Sequence, residues 1–384
     1  MATTLEQAPV LTPTEKLEIL AGGGPPPPPP RKPLGQRLLS LDALRGFIML
    51  VLAANGFGWH ALGKSQNHTF AVIARQFDHV EWTGLVFWDL IQPAFMFMVG
   101  VALPYSIASR MAHGASTGQL FKHVAWRSFM LIIWSQVIMS ISANRLHFQL
   151  INVLSQIAFT YLLSFLILQL RFRWQVVTAA LILAGHWLLF ALFPGSQGPF
   201  SQTDNIGAII DHWLGLNYRG NYVTINFVSS TITTLFGAWT GMLLMRNDSD
   251  SHRVRVLAGA AAACFLCGWA LTPFNPMVKR IWTVSFTLFS SGWVLLMLLF
   301  FYWLVEIRGR RQVVFPLLVV GMNSIFIYTL SIVLSRWLNN AVAVFTGGFK
   351  FLGELAPVAQ STAVVAVMWC FCYWLYQRKI FFRF

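Results

Sequence analysis

Nine histidines and 13 carboxylates are spread over 384 residues, so a segment where the two types crowd together is where proton chemistry could occur. The densest such segment is Asp78-His79-Val80-Glu81-Trp82, with Asp89 ten residues beyond His79. An imidazole flanked by carboxylates suits a general base whose ring is held by one of them. Asp78, Glu81 and Asp89 compete for that part, and spacing alone does not separate them. Asp89 falls inside an apolar run, where an ionised carboxylate needs a partner or water. Asn55, His60 and His68 belong to the same polar stretch, but neither His60 nor His68 has an adjacent carboxylate.

The remaining polar groups are few. Asp42 and Arg45 are three apart in Leu41-Asp42-Ala43-Leu44-Arg45-Gly46-Phe47 and so share a helical face, either as an ion pair at a helix start or as ligand contacts. Asn152 and Gln156 are four apart, and Asn323 precedes Tyr328 by five. Amides within apolar helices bond neighbouring helices first of all. Cys264 and Cys267 form a CxxC pattern inside an apolar run, which reads as packed thiols rather than a metal or redox pair. Gly237 and Gly241 fit a close helix contact. There is no phosphate-binding glycine loop, dinucleotide fingerprint, HExxH zinc helix or GxSxG elbow.

The elements that must position these groups are set by composition. Hydrophobic residues make up 56% of the chain and charged ones 10%, which excludes an ordinary soluble domain. Ten apolar runs of about 20 residues, the length that crosses a bilayer, occupy 41–59, 86–108, 121–142, 150–170, 173–193, 223–245, 254–274, 282–305, 313–334 and 358–377. The expected fold is all-α, a polytopic membrane bundle of about ten helices. Placing the N-terminus in the cytoplasm puts 19 of the 27 Lys and Arg on that side, as the positive-inside rule selects. Both termini are then cytoplasmic, and the loops 58–85, 194–222 and 335–357 lie outside. The net charge of +14 is thereby a topology signal rather than a nucleic-acid footprint. Residues 1–36, with six prolines from Pro25 to Pro30, read as a disordered cytoplasmic tail, and 37–384 as the membrane domain. The tail holds no apolar segment of a cleaved signal, so the first span is expected to target the chain.

Several segments, in order, resemble the transmembrane acyltransferase family that includes heparan-alpha-glucosaminide N-acetyltransferase and its bacterial homologues. They are Arg37 to Phe47, Asn55-Gly56, His79-Val80-Glu81-Trp82-Thr83-Gly84, Asp89-Leu90-Ile91-Gln92-Pro93, Phe97 to Gly100, Lys279 to Phe286, and Gly321-Met322-Asn323-Ser324. The resemblance implies an enzyme of a bacterial inner membrane that takes acetyl from cytoplasmic acetyl-CoA and delivers it to a sugar amine or hydroxyl on the outer side. The family's catalytic histidine falls on His79 and its catalytic asparagine on Asn55. His79 is then the base, Asn55 the donor to the developing oxyanion, and Asp89 the group that orients or supports His79. Arg45 with its partner Asp42, Lys122 and Arg127 are the cations expected near the donor's phosphates. Glu81, Asn152, Gln156 and Asn323 are the expected acceptor contacts. Expected partners are acetyl-CoA, a glycan acceptor and membrane lipid, with a homodimer left open and neither a metal nor nucleic acid. The rival expectation is a transporter or flippase for a glycan or lipid precursor, with Asp89, Asn152 and Asn323 as midplane polar groups.

Overall fold

A computed structural model describes residues 38–216 and 221–382, so the expected tail lies outside the described residues. Among those residues the regular structure is helical throughout, apart from one isolated bridge between Gly195 and Gly198. The helices are α1 (Leu39–Ala53), α2 (His68–Gln76), α3 (Ile91–Ala112), α4 (Thr117–Ala143), α5 (Val153–Leu168), α6 (Phe172–Leu192), α7 (Ile206–Trp213), α8 (Asn226–Met245), α9 (Asp250–Leu271), α10 (Val284–Tyr302), α11 (Phe315–Met322), α12 (Ser324–Val333), α13 (Ser335–Thr346) and α14 (Ala356–Gln377). Polar residues start many of them: Asn67, Ser116, Asn152, Asn205 and Ser249 each accept a hydrogen bond from a first-turn N–H, which satisfies donors that the helix leaves unpaired.

Seven helical segments are long and apolar enough to cross a membrane, or nine if two bent pairs each count as one span. This is an integral, multi-pass membrane protein. Every one of the ten expected runs meets a helix, but three depart from a straight span. The first bends by 41° after Ala53 and the ninth by 79° between Met322 and Ser324. The fourth, α5, has 16 residues and so rises only about 24 Å. The three long loops expected on the outer side are not structureless either, since they contain α2, α7 and α13.

The centre of the bundle is made by α3 and α8, whose apolar windows are 78% and 67% buried, against 22% for α6 and 17% for α9. Glycine permits the close crossing. A Cβ on Gly100 would run into the Thr234 carbonyl, and one on Gly237 or Gly241 into the carbonyls of Phe97 or Val101. The matched order of these contacts makes α3 and α8 a parallel pair. A second interlock joins α1 to α11, where Gly46 faces the Leu317 carbonyl and Gly321 faces that of Asp42. Here the order reverses, so α11 runs antiparallel to α1. The outward faces of α4, α6 and α9 expose Trp126, Phe129, Leu181, Leu188, Leu266 and Trp269, as helices bordering lipid should.

Candidate active site

The first span ends in a run of left-handed backbone: Asn55 (φ 46), Gly56 (φ 62), Phe57 (φ 53) and Gly58 (φ 71). Asparagine and glycine enter that region at least cost, so the sequence stops α1 here and turns the chain along the membrane face. Gly56 packs so closely on the Phe77 ring that a Cβ would sit 2.8 Å from it, and Gly58 abuts the Pro357 carbonyl at the start of α14. The Asn55-Gly56 turn is therefore fixed against the residue two before His79, with the Asn55 carboxamide at an exposed position.

Beyond α2, the Asp78 carboxylate accepts the His79 backbone N–H (2.9 Å), which spends one of its oxygens locally. The His79 ring turns the other way. Its Nδ1 lies 2.7 Å from Asp89 Oδ1, and because a carboxylate only accepts, Nδ1 carries the proton. Nε2 then holds the lone pair, on a side chain that is 43% exposed. Asp89 itself is 1% exposed, in the short 3-10 turn Phe87–Leu90 that leads into α3, where helix-terminal N–H groups favour an anion. A second donor reaches the same oxygen: Lys279 Nζ stands 3.3 Å from Asp89 Oδ1 and is 7% exposed. Asp89 Oδ2 is buried and has no partner among the described residues.

Lys279 is delivered by a tightly tied loop before α10. Met277 O accepts the Gly84 N–H (2.8 Å), Thr283 Oγ1 accepts the Val278 N–H (3.0 Å), and Trp282 is fully buried at φ 52 with its carbonyl bonded by Ser229 Oγ (2.6 Å). The Arg280 guanidinium lies about equally near the Trp82 and Tyr222 rings, 6.0 and 5.9 Å from their centroids. Trp82 Nε1 in turn donates to Phe200 O (2.9 Å), on a loop where the Ser196 and Ser201 hydroxyls hold the Asp204 carboxyl down at about 2. Close by in sequence, Asp211 on α7 is buried while accepting the Thr224 N–H (2.8 Å), and burial pushes its carboxyl above the ordinary carboxylate range.

No family model matches the chain. It is similar, however, to the human heparan-alpha-glucosaminide N-acetyltransferase, 23% identical over an alignment of 432 positions that covers 90% of this chain and 60% of that protein. The mouse heparan-alpha-glucosaminide N-acetyltransferase gives 22%, with 92% and 61% covered. The chain is a distant relative of these acetyltransferases. It spans about three fifths of the length of the curated relatives it matches.

Against that relationship, the expected residues divide into groups. His79, Asp89 and the Asn55 turn lie at one end of the bundle, and Glu81 is exposed on the same loop as His79. Asn152 caps α5 through the Ser155 N–H (3.0 Å), and Gln156, fully buried, donates to Leu150 O (3.2 Å). Asn323 is elsewhere: its amide donates to Ile380 O and its oxygen accepts the Phe382 N–H, both at 3.1 Å. That places it beside the α1–α11 contact at Asp42, away from His79. Asp42 and Arg45 do pair, at 3.0 Å, near the start of α1, with Ser40 donating to Glu306 beside them. Lys122 is exposed near the start of α4, while Arg127 stacks on Tyr161 of α5 (4.9 Å) about ten residues into its span. α4 packs chiefly on α5 and α12, so Lys122 and Arg127 stand on a different helix from Asp42 and Arg45. The residue that sequence reasoning passed over is Lys279. Its partner lies 190 positions away, which leaves no local signal in the sequence.

Proposed function

We propose that the protein is a membrane acetyltransferase that moves an acetyl group from acetyl-CoA, entering from the face where α1 begins, to an amine or hydroxyl of a sugar at the face that carries His79. The observation that carries this reading is the pair of His79 and Asp89: a buried carboxylate holds Nδ1–H, leaving a basic Nε2 at an accessible surface. A nucleophile placed there loses its proton to Nε2 as it attacks the thioester carbonyl. The negative charge that forms on that carbonyl oxygen is met by the Asn55 amide. Collapse of the tetrahedral adduct breaks the C–S bond, and the CoA sulfur leaves with the proton that His79 returns. The relatives' acetyltransferase names support the reaction class, and the basic asymmetry supports the direction.

Support for a route through the bundle comes from polar side chains buried below Asp89. Gln92 Nε2 on α3, Gln156 Oε1 on α5, and the Ser230, Thr233 and Thr234 hydroxyls on α8 are buried without partners among the described residues. These three helices pack on one another. Buried polar atoms normally find partners, and the amides of a pantetheine arm are of the right kind. The test is transfer of radiolabelled acetyl from acetyl-CoA to glucosamine in proteoliposomes. His79→Ala is expected to lose at least about 100-fold in turnover with acetyl-CoA binding kept. More than about a tenth of wild-type turnover in that variant would overturn the assignment.

A further inference from the structure

Burying a lysine ammonium is costly unless it is paired and hydrogen-bonded, yet Lys279 is 7% exposed in a loop that could have left it in water. Its Nζ and His79 Nδ1 bond the same atom, Asp89 Oδ1, at 3.3 and 2.7 Å. The two nitrogens therefore lie no more than about 6 Å apart, within the range where one charge alters another's protonation. With Lys279 charged, Asp89 is already neutralised from behind. A proton arriving at His79 would put two cations on one carboxylate oxygen. Without Lys279, the same buried anion would face His79 alone and draw a proton onto it.

We propose that Lys279 is a positioning residue whose charge keeps His79 in the neutral, proton-accepting form while its hydrogen bond aims Asp89 at Nδ1. The proposal rests on the reading of His79 as the base and names what sets its protonation. Other charged groups on the surrounding elements are Asp78 and Glu81 on the His79 loop, His68 and Arg75 on α2, and Arg280 next to Lys279. Asp78 is bonded to the His79 backbone and Arg280 is turned to Trp82 and Tyr222. Asp89 and Lys279 are the buried pair among these groups.

The test reads His79 directly and needs no acetyl transfer, so its failure is distinguishable from failure of the proposed reaction. Diethyl pyrocarbonate modifies neutral imidazole, and the fraction of His79 modified in the purified full-length protein is followed by peptide mass spectrometry across pH. Lys279→Met is expected to move the midpoint upward by about one pH unit or more, and Lys279→Arg to leave it near the wild-type position. If Lys279→Met does not fold, Asp89→Asn is compared with the Asp89→Asn, Lys279→Met pair. The single variant leaves a cation facing His79, so its midpoint must lie below that of the pair. Coincident midpoints in folded Lys279→Met and wild type, or in the single and paired variants, would overturn the proposal. Where transfer is measurable, the acid limb of the turnover profile should move with the modification midpoint.

Discussion

Asn55 is asked to do two things at once, and they can be taken apart. Its backbone sits at φ 46, ψ 55, a conformation that costs an ordinary L-residue roughly 1–2 kcal/mol and glycine nothing comparable. Its carboxamide is the proposed donor to the oxyanion, a role worth about 2.7–4 kcal/mol, or roughly 100- to 1,000-fold in turnover. Asn55→Ala removes the amide and keeps a Cβ in the left-handed region, so it should lose activity and about 1 kcal/mol of stability. Asn55→Gly removes the same amide and relieves the backbone, so it should lose as much activity with its unfolding midpoint at or above that of the wild type. Turnover at saturating acetyl-CoA and thermal unfolding in detergent, run on both variants, give the two readouts. An Asn55→Gly protein with turnover within about tenfold of wild type would refute the oxyanion role, whatever its stability. Equal stability of the two variants would refute the backbone argument instead.

Asp211 supplies a pH test. Its carboxyl is raised by burial, so the stability it permits is full below the ordinary carboxylate range and is lost as pH rises through the raised value. The wild-type midpoint should therefore fall, relative to that of Asp211→Asn, as pH rises from the ordinary carboxylate range through the raised value, because the asparagine keeps an acceptor for the Thr224 N–H without a charge; parallel curves would show that Asp211 carries no such penalty. Sidedness is tested with cysteines in a background lacking the native four. Ser65→Cys should react with an impermeant maleimide in intact cells and Ser251→Cys only after lysis, and the reverse pattern would sink the proposed direction of transfer.

Most of the bundle was legible because a membrane span needs only length and apolarity, and each run in the sequence supplied both. The breaks were less so. Asn55-Gly56-Phe57-Gly58 announces a turn through its glycines, yet the bend at Asn323 has no such signal. Gly321-Met322-Asn323-Ser324 breaks because the Asn323 amide is taken by Ile380 and Phe382, more than 50 residues away. The candidate base was legible from its carboxylate neighbours, but its orienter was not. Three acids were available, and the choice falls to Asp89 because the Asp78 carboxylate bonds the His79 backbone and the second span starts its 3-10 turn where Asp89 meets the ring. Lys279 was beyond reach, as its role exists only once the loop before α10 is tied to Gly84.

The Asn323 clamp has a consequence for biosynthesis. The bent ninth span interlocks with the first through Gly321 and Gly46, and among the described residues the polar side chain at its break is answered by the backbone of residues 380–382. During translation, Asn323 cannot reach these backbone partners until α14 and the residues after it have been made. Assembly of that corner is thus ordered in time: the first span is held ready, the ninth docks incompletely, and the closing strand of backbone locks both. A chain halted before residue 380 should expose that corner to proteases, with α3 and α8 already closed.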